Sequence, residues 1–266
     1  MTASGSLPRL DANTPTSARV HDYLLGGSHN FAVDRDAAQD LISAFPPLPR
    51  VLAAGRAFLR RAVRFLAAER GIGQFLDLGS GIPTARNVHE VAQAVSPLAR
   101  VAYVDIDPVA VVHSRSILRG VGYVTCVQGD LVDPGAIRGD PAVRSVIDFG
   151  RPLAVILSAV LHFVPGDDQA AAVVDGYLDA AAPGSYLLIS HHARESDRAD
   201  EARARDIYSS TVQPLIPRSR EQVTALFRDT EIIEPGVVLT TQWRPEAGGP
   251  PPDEPYFGYA GLGRKA

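Results

Sequence analysis

The chain is 266 residues long, is 45% hydrophobic and carries a formal charge of −4 from 26 basic and 30 acidic side chains. That is enough apolar sequence for a full core, yet no apolar run reaches the roughly 18 residues of a membrane helix and the N-terminus lacks a secretory pattern, so a cytoplasmic location without a membrane partner is expected. With no basic tail or Lys/Arg block nucleic acid is not the expected partner, and Cys126, the single cysteine, leaves no intrachain disulfide or cysteine metal cluster.

In chain order, residues 1–14 are polar and unpatterned and read as a loose tail. Pro15 opens a short helix through Val20, Tyr23 and Leu24 that Gly26 and Gly27 close. The stretch HDYLLGGSHNFAVD (21–34) is dense in groups that hydrogen-bond or stack; it is either a capped helix end with its turn or a functional segment. A second helix over 34–45 stops at Pro46-Pro47. Over 50–70, Leu52, Phe58, Leu59, Val63, Phe65 and Leu66 recur at helical spacing with arginines opposite, an amphipathic helix ended by Gly71.

The stretch QFLDLGSGIPT (74–84) is the centre around which the rest of the chain is organised. A strand over 75–78 runs into a tight turn at Gly79-Ser80-Gly81, and Pro83 and Thr84 open a helix that continues to residue 95. Glycines with positive φ let the backbone approach a ligand, and N–H groups at a helix start point toward it, so a nucleotide-like cofactor is expected here. The next strand, 101–104, finishes at Asp105, 24 residues beyond Gly81. A carboxylate that reaches a ribose stands roughly 20 residues on.

Asp107 then caps a helix to residue 118, and a third strand over 123–127 ends at Gly129-Asp130-Leu131. The aliphatic run 153–157, ending at Ser158, reads as a central parallel strand buried on both faces. A helix over 167–182 and a fifth strand over 186–190 complete an alternation that predicts an α/β fold with a doubly wound, mostly parallel sheet. A charged helix over 195–210 and a proline-flanked link, 212–217, interrupt it as an insertion spanning 194–217. Ser219 and Gln222 form a capping box for a helix to residue 227. Apolar runs at 232–233 and 237–243 around Pro235-Gly236, a Gly/Pro-rich loop at 248–255 and a last run at 256–263 predict an antiparallel hairpin added at the C-terminal edge. The expected organisation is a tail and helical lid (1–49) on a ligand-binding domain (50–266).

A GxG turn alone also fits a nicotinamide or flavin site, but the dinucleotide fingerprint needs a third glycine or alanine where Thr84 stands. The combination DLGSG, YVDIDP, QGDL, an apolar strand ending in Ser158, and APGSYLLIS resembles the class I S-adenosylmethionine-dependent methyltransferases, from about Arg50 to the C-terminus. The segments ARVHDYLLGGSHNFAVDR, LDLGSGIPTARNVHEVAQ, VAYVDIDP and TQWRPE are similar to one bacterial branch of that class, the S-adenosyl methyltransferase family formerly catalogued as a domain of unknown function.

The resemblance implies S-adenosyl-L-methionine as cofactor. It implies that Asp77, Gly79, Ser80 and Gly81 surround the methionine part, with the turn N–H groups near its carboxylate. Asp105 would accept from the ribose hydroxyls, Ile106 would lie against the adenine, and Asp130 and Leu131 would hold the adenine amino group. Ser158 would stand beside the sulfonium, with Tyr23 and Asn30 closing over the cofactor as a lid. Local structure offers other readings: Asp77 satisfied by the turn, Asp130 as a helix cap, Asn87 and His89 as structural groups, Trp243 as core. No metal site is expected, because His191 and His192 are neighbours on a strand and face opposite ways. His162, His191 and Tyr23 are unranked candidates for a base. The expected activity is methyl transfer to a small-molecule acceptor; a non-catalytic S-adenosylmethionine-binding or regulatory protein and an NAD(P)-dependent oxidoreductase stay open as alternatives.

Overall fold

The computed structural model describes residues 11–83, 87–194, 199–246 and 258–266. The first ten residues of the expected tail, the helix starts expected at 84 and 195, and the expected loop at 248–255 lie outside them. Five parallel strands carry the site: β1 (Gln74–Leu78), β2 (Arg100–Asp105), β3 (Val124–Gln128), β4 (Ala154–Ser158) and β5 (Tyr186–His192). They lie in the order β3-β2-β1-β4-β5, so the winding reverses between β1 and β4. The crevice outside the carboxyl ends at such a switch point is where open α/β sheets bind ligands. All of β1 and residues 154–157 of β4 are buried, as strands covered on both faces must be.

At the C-terminal side, β6 (Thr230–Ile232), β7 (Val238–Leu239) and β8 (Gly258–Lys265) add antiparallel pairing. The expected hairpin needs correction. The segments on either side of Pro235-Gly236 do not pair with each other; each pairs with β8, which lies between β5 and β6. Small residues let β8 take that inner place. A Cβ on Gly261 would stand 2.8 Å from the Phe227 ring, and one on Gly263 would stand 2.1 Å from Thr230 Oγ1.

The described helices are α1 (Ser17–Leu24), α2 (Ala32–Ala44), α3 (Leu48–Glu69), α4 (Val88–Val95), α5 (Pro108–Ile117), α6 (Pro134–Gly139), α7 (Pro141–Val146), α8 (Asp167–Leu178), α9 (Ala199–Thr211) and α10 (Arg220–Ala225). α4 opens at Val88, where Glu90 Oε2 reaches back to accept the Asn87 N–H at 2.7 Å and caps the helix. Sequence reading placed no element over α6 and α7. Each is one proline-headed turn whose preceding aspartate, Asp133 or Asp140, accepts a backbone N–H at 2.9 or 2.8 Å. The capping roles expected of Asp107 and of the Ser219–Gln222 pair are present: Asp107 accepts the Val109 N–H, and Ser219 and Gln222 each accept the other's.

Apolar side chains fill both sheet faces, and Trp243 is fully buried, edge-on to Phe58 and Phe65, on one of them. A third apolar cluster joins Val20 and Leu24 of α1, Leu41 and Phe45 around α2, and Ala204 of α9. The N-terminal helices and the inserted helix therefore share one small core over the sheet edge. Among the described residues, no helix is long and apolar enough to cross a membrane.

Candidate active site

A cavity of about 540 Å³ opens over the carboxyl ends of β1, β2, β4 and β5. Its first wall consists of strand ends. Gly79, Ser80 and Gly81 follow β1, Asp105 and Ile106 end β2, Asp130 and Leu131 follow β3, and Ser158 closes β4. Gly79 and Gly81 have φ of 67° and 64°, the left-handed region in which a side chain is strained. Their surroundings differ: a Cβ on Gly79 would meet Val160 at 2.2 Å, whereas one on Gly81 would meet nothing within 4 Å.

Asp105 is 6% exposed and turned toward the glycine bend. Its Oδ2 accepts the Gly81 N–H at 2.7 Å and its Oδ1 the Asp107 N–H at 2.9 Å, which leaves a lone pair on each oxygen. Burial pushes this carboxyl up to about 6, against the pull of those two bonds. The Gly79 and Ser80 N–H groups both donate to the Val104 carbonyl, at 2.8 and 3.1 Å. This corrects the expectation of free turn N–H groups. The three donors are spent on the end of β2, and the bend is locked to its neighbour strand.

Asp130 is exposed on the wall, and its Oδ1 accepts the Val132 N–H at 3.0 Å in a turn; the helix cap that one reading expected of it falls to Asp133. The Leu131 carbonyl takes the Tyr177 hydroxyl at 3.0 Å. Ser158 Oγ lies 2.9 Å from Ser190 Oγ on the neighbouring strand. The next residue, Ala159, is held at φ 56° with its N–H on the Ser190 carbonyl at 2.9 Å, a strained position that turns the chain into the cavity wall.

Three expected residues are not on the wall. Asp77 is buried behind the turn, where burial raises its carboxyl to about 7 while the Arg56 guanidinium pulls the other way. Tyr23 and Asn30 correct the lid expectation. The Tyr23 hydroxyl accepts from Gln39 at 2.6 Å, and the Asn30 amide donates to Asp22 and to the Gly27 carbonyl at 2.8 and 3.1 Å. Helical geometry puts Tyr23 on a different face from His21 and Leu24, and those two reach the cavity.

His162 and His191 are both on the wall. His191 is fully engaged: Nδ1 donates to the His192 carbonyl and Nε2 accepts from Arg218, each at 2.8 Å. Burial brings it down to about 3, so it is a poor base. His162 Nδ1 accepts the His192 N–H at 3.4 Å, which assigns the ring proton to Nε2. Burial among His191, His192 and Arg218 holds it well below the usual histidine range, neutral at pH 7. Asn87 and His89 are structural. Asn87 Oδ1 accepts from Arg56 at 2.9 Å, and His89 shares the Tyr103 hydroxyl through its N–H and Nδ1 at 2.9 and 2.8 Å.

Sequence reading missed the groups that come from afar. Arg218, fully buried, donates to Asp167, to the Leu161, Val164 and Gly166 carbonyls and to His191, and so fixes the loop after β4. Glu201 on α9 faces His192 at the end of β5, Oε1 to Nε2 3.2 Å. His21 and Arg56 join Glu201 on the wall, and Arg218 stands behind it. An isolated arginine or glutamate carries no local mark of such a role. Among the described residues no three His, Cys, Asp or Glu side chains gather as metal ligands.

A switch-point crevice with a buried carboxylate at the end of β2 and a glycine bend hydrogen-bonded to it defines a class I, Rossmann-like methyltransferase. The chain belongs to the S-adenosyl methyltransferase family, whose match spans residues 4–266. It is a methyltransferase that uses S-adenosyl-L-methionine. It is 43% identical to a protein from Thermobifida fusca YX proposed to be a methyltransferase, with TM-score 0.90 and 97% of each chain covered. It is 35% identical to a DUF574 family protein from Streptomyces avermitilis MA-4680, with TM-score 0.91 and 97% and 100% coverage. The N-methyltransferase NodS from Bradyrhizobium japonicum WM9, in complex with S-adenosyl-L-homocysteine, shares the fold at 12% identity, TM-score 0.50, and 93% and 98% coverage. No curated protein matches the chain.

Proposed function

We propose that this methyltransferase acts on a small-molecule acceptor bound between its N-terminal helices and the sheet edge. The observation that carries this is the cover over the cavity. α1, α2 and α9 share an apolar core directly above the strand ends, and Leu24, Phe45 and Tyr208 of that cover line the same space as Gly81 and Asp105. Such a roof leaves room for a small molecule and shuts out a folded one. In this reading residues 1–49 and the 194–217 insertion work together as the lid of the 50–266 domain.

The residues present suit the cofactor. Asp105 keeps acceptor capacity on both oxygens for a ribose diol, Gly81 leaves open space where any side chain would project, and Ile106 and Leu131 offer apolar surface for a purine. Gly79 and Ser80 would hold the amino-acid end, Asp130 would accept from the purine amino group, and Ser158, at the end of β4, would stand near the sulfonium. When bound, the cofactor supplies the activated methyl on its sulfonium. The protein supplies orientation and exclusion of water. His162, neutral and carrying its proton on Nε2, is suited to donate a hydrogen bond to an acceptor oxygen.

Calorimetric titration with S-adenosylhomocysteine should give one site per chain; absence of binding overturns the assignment of the cavity. Incubation with methyl-labelled S-adenosylmethionine and a size-fractionated cell extract should place label in the small-molecule fraction. Label confined to protein or nucleic acid overturns the acceptor class.

A further inference from the structure

Glu201 is a carboxylate with almost nowhere to put its charge. Its side chain is 4% exposed, it lines the cavity, and neither oxygen has a hydrogen-bond partner. His192 stands 3.2 Å away, but Nε2 is not aligned for a bond and is itself unpartnered. A buried acceptor left unmade costs about 1–3 kcal/mol, and more when it is charged, so such a group in a native fold asks for a donor from outside.

The surroundings narrow the donor. Arg205 and Arg56 share the wall and Arg218 lies behind His191, so a further cation in this space would meet positive charge, while His21, lowered to about 4 by burial, is neutral. A neutral hydroxyl meets no such penalty. The rest of this half is apolar and flat-sided: Leu24, Leu41, Phe45 and Leu52 line it, and the rings of Phe163 and Tyr208 stack at 6.0 Å with 12° between their planes. Planar faces of this kind favour an aromatic guest.

We infer that Glu201 and His192 form the polar anchor of the acceptor subsite, taking the hydroxyl of an otherwise apolar aromatic small molecule. The inference rests on the cavity being the methyltransferase site, and deepens that reading by naming the acceptor class and the residues that select it. Glu201 accepts the hydroxyl proton in a hydrogen bond, and His192 is placed to pair with the same oxygen.

The test uses the full chain loaded with S-adenosylhomocysteine and two probes, 2-naphthol and naphthalene, with binding read by calorimetry or ligand-observed NMR. The wild-type protein should bind 2-naphthol at least about tenfold more tightly than naphthalene, one charge-assisted hydrogen bond's worth of discrimination. Glu201→Gln, whose amide oxygen accepts only a neutral hydrogen bond, should cut that preference severalfold by weakening 2-naphthol alone, with S-adenosylhomocysteine affinity within about twofold of wild type. Equal binding of the two probes by wild type, or an unchanged preference in Glu201→Gln, overturns the inference. If S-adenosylhomocysteine binds and neither probe does, the anchor is wrong and the cofactor assignment stands; if S-adenosylhomocysteine itself fails to bind, the underlying reading falls. Should Glu201→Gln not fold, His192→Phe removes the other half of the anchor and should lower the 2-naphthol preference likewise, and an unchanged preference there overturns the inference.

Discussion

The two halves of the cavity are built differently. The half over β1, β2 and β3 consists of strand ends and their turns, tied together by backbone groups: Gly79 and Ser80 donate to Val104, Gly81 donates to Asp105, and Gly129 donates to the Asp105 carbonyl. The half beneath the lid is assembled from α1 to α3, the loop after β4, and α9, held by an apolar cluster and by buried charged side chains such as Arg218 and Glu201. In the first the polar groups satisfy one another; the second holds buried polar atoms, Glu201 Oε1 and Oε2 and His192 Nε2, that complete no hydrogen bond among the described residues. A cofactor common to a family suits the first construction, and an acceptor peculiar to a protein suits the second.

Breaking the second half should have the largest effect on stability. Arg218→Ala strips the donor from three loop carbonyls and from His191, and should cost about 3–5 kcal/mol in a urea titration of the cofactor-free protein. Arg218→Lys should recover little of it, since an ammonium cannot reproduce the planar fork.

Breaking the first half should act on binding. Asp105→Ala removes two hydrogen bonds to a charged acceptor and should weaken S-adenosylhomocysteine about 100-fold by calorimetry. pH sharpens the same point. The folded carboxyl sits near 6, above its ordinary 3.8, so the unfolded chain releases its proton first as pH rises. Asp77, near 7, behaves likewise. Both therefore make the cofactor-free protein less stable as pH rises from about 4 to about 7, with no further change above. Cofactor affinity should move the opposite way, falling about tenfold per unit below pH 6, because the ribose donors need the ionised form. A flat affinity between pH 5 and 8 would remove Asp105 from the contact.

The two glycines of the bend offer a smaller comparison. Gly81→Ala should cost about 1 kcal/mol from its left-handed backbone alone, whereas Gly79→Ala must also push Val160 aside and should lower Tm more. Smallest of all, Tyr23→Phe should change stability by less than about 0.5 kcal/mol and leave S-adenosylhomocysteine affinity unaltered, since among the described residues its hydroxyl bonds Gln39 at an exposed position.

Much of the fold was legible because each parallel strand and its helix leave local marks: an aliphatic run, a glycine or proline stop, a capping aspartate. Asp105 could be found for the same reason, as a carboxylate ending a strand at a telling distance from a glycine turn. Tyr23 and Asn30 were misplaced because a dense motif says that a segment matters without saying which side of its helix faces inward. The cap that opens α4 depends on Glu90 reaching back to Asn87, a pairing that was not read from the sequence. The last run was read as an edge strand, and its inner place as β8 was hidden because nothing local shows that Phe227 and Thr230 fill the space beside Gly261 and Gly263.

The sequence by itself determined the sheet, its winding, the glycine bend and the acid opposite it, because those depend on neighbours within a few turns of chain. Only the tertiary structure decided which donors the bend spends on itself, that Arg218 anchors the loop after β4, and that Glu201 meets His192 across the cavity. Such pairings join residues whose own surroundings in the chain carry no trace of each other, and they exist only once an apolar cluster has brought the lid down over the strand ends.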